Sequence, residues 1–450
     1  MRRNVVLSLS LSILAACGGG GGDDDGNGGD DVDGGGGDEA DGGGEEADGG
    51  GGGPFTLTEC DDSHRVDEIR GVSGASAIRV GAHGDAWVAT WLQASSVSKD
   101  NMFHTMYRRF DGAELGDVTD LGLDDWGNTN PMVVDDDGTV FFQHYTGKPA
   151  GERAIMTLPD GDFESEDYTV VNGESTSAIA AFQDGAVSFF RDGGALAVER
   201  WTSAEPTWTA MPLDGTPSLA NNLRVATNDD GHTAVAWSTN DGDSLTISVA
   251  VHDGDEWSDI EIRDFLNVDG VPSVFEMAMR SDGDVVFVWA VSTTLYASVF
   301  DAGAGTFGEP DPIATNISPN TLQLRIDAAD RLTVVWIGQD LESHARRHVG
   351  GDWGTERDFG TASSIGMSGT RDGLLAVLVY DAPDLSITRL TEADGDTFTD
   401  PVVTGVGISN VFFVPLLGHV VFDASGQPTT IAAQELEGPG GLGLVYTSCH

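Results

Sequence analysis

Residues 275–307 read FEMAMRSDGDVVFVWAVSTTLYASVFDAGAGTF. An apolar run leads into the turn Asp282-Gly283, and a second apolar run reaches Trp289. A third run spans 295–300, and a short turn then precedes Phe307. Short apolar and β-branched runs broken by Gly and Asp predict strands joined by hairpins, because those residues supply the positive-φ positions of tight turns. No stretch has the length and 3.6-residue period of an amphipathic helix.

The unit recurs along the chain with a period of about fifty residues. Its anchor appears as Ile78-Arg79-Val80 with Gly84 and Trp91, then as Met132-Val133-Val134 with Gly138 and Tyr145. Further copies pair Gly185 with Phe190, Gly231 with Trp237 and Gly283 with Trp289. A degenerate copy has Asp330-Arg331 and Trp336. It is followed by Gly373 with Tyr380, and by a weaker copy at Val420-Val421-Phe422 with Gly426. A second aromatic landmark follows most anchors: Phe163, Trp208, Trp257, Phe307, Trp353 and Phe398, with Leu115 in the first unit.

Four short strands per unit are the mark of propeller blades, since one such sheet cannot cover both of its own faces. The expected fold is therefore an all-β β-propeller of four-stranded blades. Eight blades are counted, or seven if the last copy is an embellishment; a two-sheet sandwich is the other architecture considered. The last copy stops after a third strand at 442–449. Its fourth strand is expected from the N-terminal side, where Gly53-Pro54-Phe55 repeats the turn-then-aromatic landmark and Asp67-Glu68-Ile69 resembles a fourth strand.

Three segments divide the chain. Residues 1–17 open with Met1-Arg2-Arg3 and an apolar run from Val5 to Ala16, too short to span a bilayer and of signal-peptide character. The run ends Leu14-Ala15-Ala16-Cys17, which resembles the lipobox of bacterial lipoproteins. The resemblance implies lipid attachment at Cys17. Because residue 18 is glycine, it also implies an outer-membrane address, on the periplasmic or surface face, over the inner membrane. An ordinary secretory signal ending in cysteine is the plainer reading.

Residues 18–53 hold twelve acids, no base and almost nothing apolar. Such a stretch cannot offset the entropy of ordering and is read as a disordered tether. Asp23, Asp25, Asn27 and Gly28 match the start of an EF-hand loop, but its twelfth position is Gly34 and not the required glutamate. Residues 54–450 form the propeller domain. If Cys17 takes lipid, Cys60 and Cys449 remain, one at each end of this domain, to pair in an oxidising compartment or stay as thiols.

The domain carries 62 acids against 20 bases, and only Lys99 and Lys148 are lysines. That charge argues against nucleic acid and against adhesion to anionic membrane surfaces. Thr227-Asn228-Asp229-Asp230-Gly231-His232-Thr233 resembles the Asp-box of sialidase-like propellers, except that Ala234 stands where an aromatic belongs. The resemblance implies a structural turn and, more loosely, a link to glycan-active proteins.

Arg79, Arg224 and Arg325 each sit between aliphatics in a first strand. They could form a cationic ring in a central channel for an anionic sugar or carboxylate, or pair with aspartates between blades. His344 and His348 are four residues apart on a predicted strand, roughly 13 Å, too far to share an ion. Neither a catalytic motif nor a cofactor site is legible, and turns such as Asp135-Asp136-Asp137-Gly138 offer weak calcium binding at most. The leading functional reading is a lipid-anchored envelope protein that binds or scaffolds an unknown protein or polysaccharide. A glycoside hydrolase or lyase working in the central funnel, and a purely structural surface component, are the other two.

Overall fold

The computed structural model describes residues 59–61, 64–69, 78–94, 103–124, 132–146, 152–158, 168–171, 177–192, 195–215, 221–240, 245–264, 275–369, 374–381, 384–389, 398–404, 418–423, 426–435 and 442–449. Cys17, the segments 1–17 and 18–53, the Gly53-Pro54-Phe55 landmark, Phe163 and Gly373 lie outside them.

The described residues form strands and turns and contain no helix. They build eight antiparallel sheets, each with four strands in its main path. In chain order the innermost strands are Arg79–His83, Met132–Val134, Ser177–Phe182, Asn221–Thr227, Phe275–Met279, Ile317–Ile326, Ser364–Gly369 and Gly418–Phe422. Each lies beside the innermost strand of the next sheet, and the last returns to the first. Sheets arranged radially about a common axis make this a β-propeller.

Burial explains the sequence pattern. A second strand sandwiched between two neighbouring sheets needs apolar residues on both faces, so the alternation expected of a half-exposed strand disappears. Val285–Val291 and Leu332–Gly338 are buried at every position. The recurrent tryptophans Trp91, Trp237, Trp289 and Trp336 are almost wholly inaccessible and pack between adjacent sheets. The landmark aromatics Phe307 and Trp353 lie in the two-residue fourth strands Thr306–Phe307 and Asp352–Trp353 of the fifth and sixth sheets.

The eighth sheet closes as the repeat suggested. Its third strand, Leu442–Ser448, pairs with His64–Ile69 from the N-terminal side. Glu68 lies opposite Gly443 and Ile69 opposite Leu442. Beside this seam Cys60 and Cys449 form a disulfide.

Several of the turns between first and second strands share one device. Asp135 Oδ1 accepts the N–H groups of Asp137 and Thr139, Asn228 Oδ1 that of His232, and Asp327 Oδ1 those of Ala329 and Arg331. The Asp-box-like segment is one of these turns. Its Asn228 amide also donates to the carbonyls of Arg280 and Ser281 in the next sheet, so the segment acts structurally. In the sixth sheet Asp330 takes the positive-φ place, at 57°, that Gly84, Gly138, Gly231, Gly283 and Gly426 hold in five other sheets. Its carboxylate accepts the backbone N–H and the hydroxyl of Ser281 at 2.8 and 2.6 Å, which ties the fifth sheet to the sixth.

Asp135 is 1 % exposed, and Oδ2 has no hydrogen-bond partner among the described residues. Burial pushes its carboxyl up to about 7. The native state therefore holds this proton at pH values where the unfolded chain has released it, and stability falls as pH rises from about 4 to 7. Asp135→Asn keeps the turn acceptor and removes the charge. It is expected to raise unfolding stability by about 2 kcal/mol at pH 8 and by almost nothing at pH 4. Urea titrations at both pH values check this; an equal effect at both would contradict it.

Candidate functional site

The innermost strands place polar side chains at the ring's axis, where each reaches toward an adjoining sheet. Arg224 donates through Nε and Nη2 to the two carboxylate oxygens of Glu276 in the fifth sheet, at 3.1 and 3.0 Å. Its guanidinium also lies 5.5 Å from the centroid of the Phe275 ring. Burial raises the Glu276 carboxyl, and the Arg224 charge opposes that shift. Gln323 of the sixth sheet donates to the Ile365 carbonyl of the seventh at 2.9 Å. His419 of the eighth donates to the Ile78 carbonyl of the first at 2.7 Å. Burial, reinforced by the nearby Arg79 charge, lowers the His419 imidazole to about 4 and keeps it neutral.

The three arginines do not share one register. Arg79 lies opposite Thr90 and Arg224 opposite Ala236, each partner directly preceding the tryptophan of its second strand. Arg325 lies opposite Thr333, three residues before Trp336, and the equivalent place belongs to Gln323 opposite Val335. The aliphatic–Arg–aliphatic pattern concealed this two-residue offset, because a shift of two keeps a side chain on the same face of a strand.

Each arginine has its own surroundings. Arg224 is neutralised by a glutamate, not by the aspartate expected between blades. That glutamate, in the Phe275-Glu276-Met277 string, was visible in the sequence but masked by the abundance of other acids. Arg325 lines, with Arg224, Glu276 and Gln323, a cavity of about 130 Å³ at the axis. Arg79 is 3 % exposed and donates to the Ile78 carbonyl at 2.7 Å, yet no carboxylate pairs with it among the described residues. Its Nη2 is buried without a hydrogen bond, and burial lowers its guanidinium to about 10.

A larger opening lies away from the axis, between the outer parts of the third and fourth sheets. This cleft has a volume of about 1010 Å³. Trp257, His252, Arg200, Met211, Leu213 and Ile260 contribute to its wall. Trp257 meets His252 edge-on at 5.1 Å, and its buried indole N–H has no hydrogen-bond partner. Burial holds the His252 imidazole below its usual value. Arg200 stacks 4.6 Å over Phe182. Five acids line the cleft against that one arginine. The sequence marked Trp257 as a packing landmark without indicating that a cleft opens beside it.

No protein-family profile matches the chain, and no curated protein matches it. Solved structures do match. Polysaccharide lyase Uly1 is 11% identical with a TM-score of 0.46, over 84% of this chain and 89% of its own. The Dos1 propeller is 7% identical with a TM-score of 0.48, over 86% and 95%. The Aleuria aurantia lectin AAL, in complex with Fucalpha1-6GlcNAc, is 11% identical with a TM-score of 0.34, over 64% and 97%. Likeness at this level concerns architecture alone, which the strand pairing defines independently.

Proposed function

We propose that this chain is a binding or scaffold propeller of a bacterial-type cell envelope. In this reading Cys17 carries the lipid, 18–53 is the tether, and the eight described sheets make the complete ring of the 54–450 domain. The cleft between the third and fourth sheets is the observation that carries the binding role. It sets the Trp257 and His252 rings beside a surplus of acids over a single arginine. Such a wall suits a hydroxyl-rich or cationic segment of a polysaccharide or protein and repels an anionic one. The Cys60–Cys449 disulfide supports residence in an oxidising compartment outside the cytoplasm.

The anchor has its own test. Cys17→Ser is expected to move the protein from the membrane fraction to the soluble fraction and to abolish incorporation of labelled palmitate. A variant that still sediments with membranes and still takes label would overturn the anchor.

A further inference from the structure

We infer that the hairpin joining the second and third strands of the sixth sheet binds a divalent transition-metal cation, with Asp340, Glu342 and His344 as ligands. Their donor atoms lie within 4.8 Å of one another. His344 Nε2 stands 3.7 Å from Asp340 Oδ1. That is too long for a hydrogen bond. Two donors at that separation, each about 2.1 Å from a shared ion, subtend roughly 120° at it. Two ligands of one ion can be no more than about 4.2 Å apart at such bond lengths, so a small swing of Glu342 completes the set.

The surroundings hold each ligand in place. Glu342 and His344 are two apart on the strand Glu342–Val349, which puts both on one face. His344 is only 9 % exposed, and its ring stacks on Trp336 with centroids 5.6 Å apart and planes at 23°. Its Nδ1 has no aligned hydrogen bond, yet Glu356 Oε1 stands 3.2 Å away. A carboxylate behind a histidine fixes the tautomer and leaves the far nitrogen's lone pair for a metal. Asn316 donates to Asp340 Oδ2 at 3.0 Å, while Oδ1 is the oxygen nearest His344.

Gly338 keeps the space between them open: a Cβ there would collide with Asp340 Oδ1 and meet His344 Nε2 at 3.1 Å. One imidazole with two carboxylates suits zinc and its neighbours better than calcium or magnesium, which take oxygen donors. Three protein ligands leave an outward position for water or for an oxygen of a bound molecule. This site does not involve His348, the residue paired with His344 in the sequence reading.

The test is calorimetric titration of Zn²⁺ into the EDTA-stripped full chain, with calcium present to occupy weak carboxylate sites. One high-affinity Zn²⁺ per chain is expected. His344→Gln and Gly338→Ala are each expected to weaken it at least tenfold, with melting temperatures in EDTA unchanged. Should His344→Gln unfold, Gly338→Ala and Glu342→Gln decide, since neither removes the stacked ring. Zn²⁺ binding no tighter than the weak background, or equal affinity in wild type and in both deciding variants, would overturn the site.

Discussion

Replacing Cys60 and Cys449 together by serine is expected to destabilise the folded domain by about 3–6 kcal/mol. The two cysteines are 389 residues apart in sequence. On the chain-entropy treatment, closing so long a loop removes more freedom from the unfolded chain than almost any other crosslink in a domain this size. Residual structure in the unfolded chain sets the lower end of the range. The bridge also stands beside the one seam where the eighth sheet takes its outer strand, His64–Ile69, from the far end of the sequence. Urea unfolding with and without dithiothreitol checks this. Reductant should lower the wild-type midpoint to that of the double variant and leave the double variant unchanged. A double variant as stable as oxidised wild type would show that strand pairing alone closes the ring.

The Arg224–Glu276 pair carries the second large effect. Arg224→Ala is expected to cost about 3 kcal/mol, because it strands a carboxylate whose side chain is only 16% exposed. Glu276→Ala should cost a similar amount by stranding the guanidinium. The double replacement Arg224→Ala with Glu276→Ala removes both charges and should cost much less than the sum of the two single losses. A double-mutant cycle on unfolding free energies tests this, and strictly additive losses would contradict the pairing. The same cycle bears on the channel: a loss that is purely one of stability assigns Arg224 to holding the fourth sheet against the fifth.

The architecture was legible because it depends on local, repeated chemistry. Asp-Gly turns at Gly138, Gly231 and Gly283 and tryptophans at Trp237, Trp289 and Trp336 recur because each sheet faces the same environment. Asp67-Glu68-Ile69 could be recognised as a fourth strand because the last copy lacked one. The functional geometry was less legible for the opposite reason. Arg224 and Glu276 lie in different repeats, 52 residues apart, so no local string displays their pairing. The offset of Arg325 appears only when second strands are aligned through their tryptophans. The wide cleft depends on how the outer strands of the third and fourth sheets diverge, which composition does not encode. His344 was noticed beside His348 at a helical spacing; its partners instead lie at a strand spacing, in Glu342, and across the hairpin, in Asp340.

Site-specific crosslinking in the native envelope tests the central claim most directly. A photoreactive residue is placed at Glu205 in the cleft and, as a control, at exposed Ala304 in a fifth-sheet turn. The account predicts that the cleft position captures one dominant protein or polysaccharide species. The control position should not capture it, and capture should fall sharply when Trp257→Ala or Cys17→Ser is added. Equal, unselective capture from both positions, indifferent to Trp257 and to the anchor, would contradict a tethered propeller that binds through this cleft.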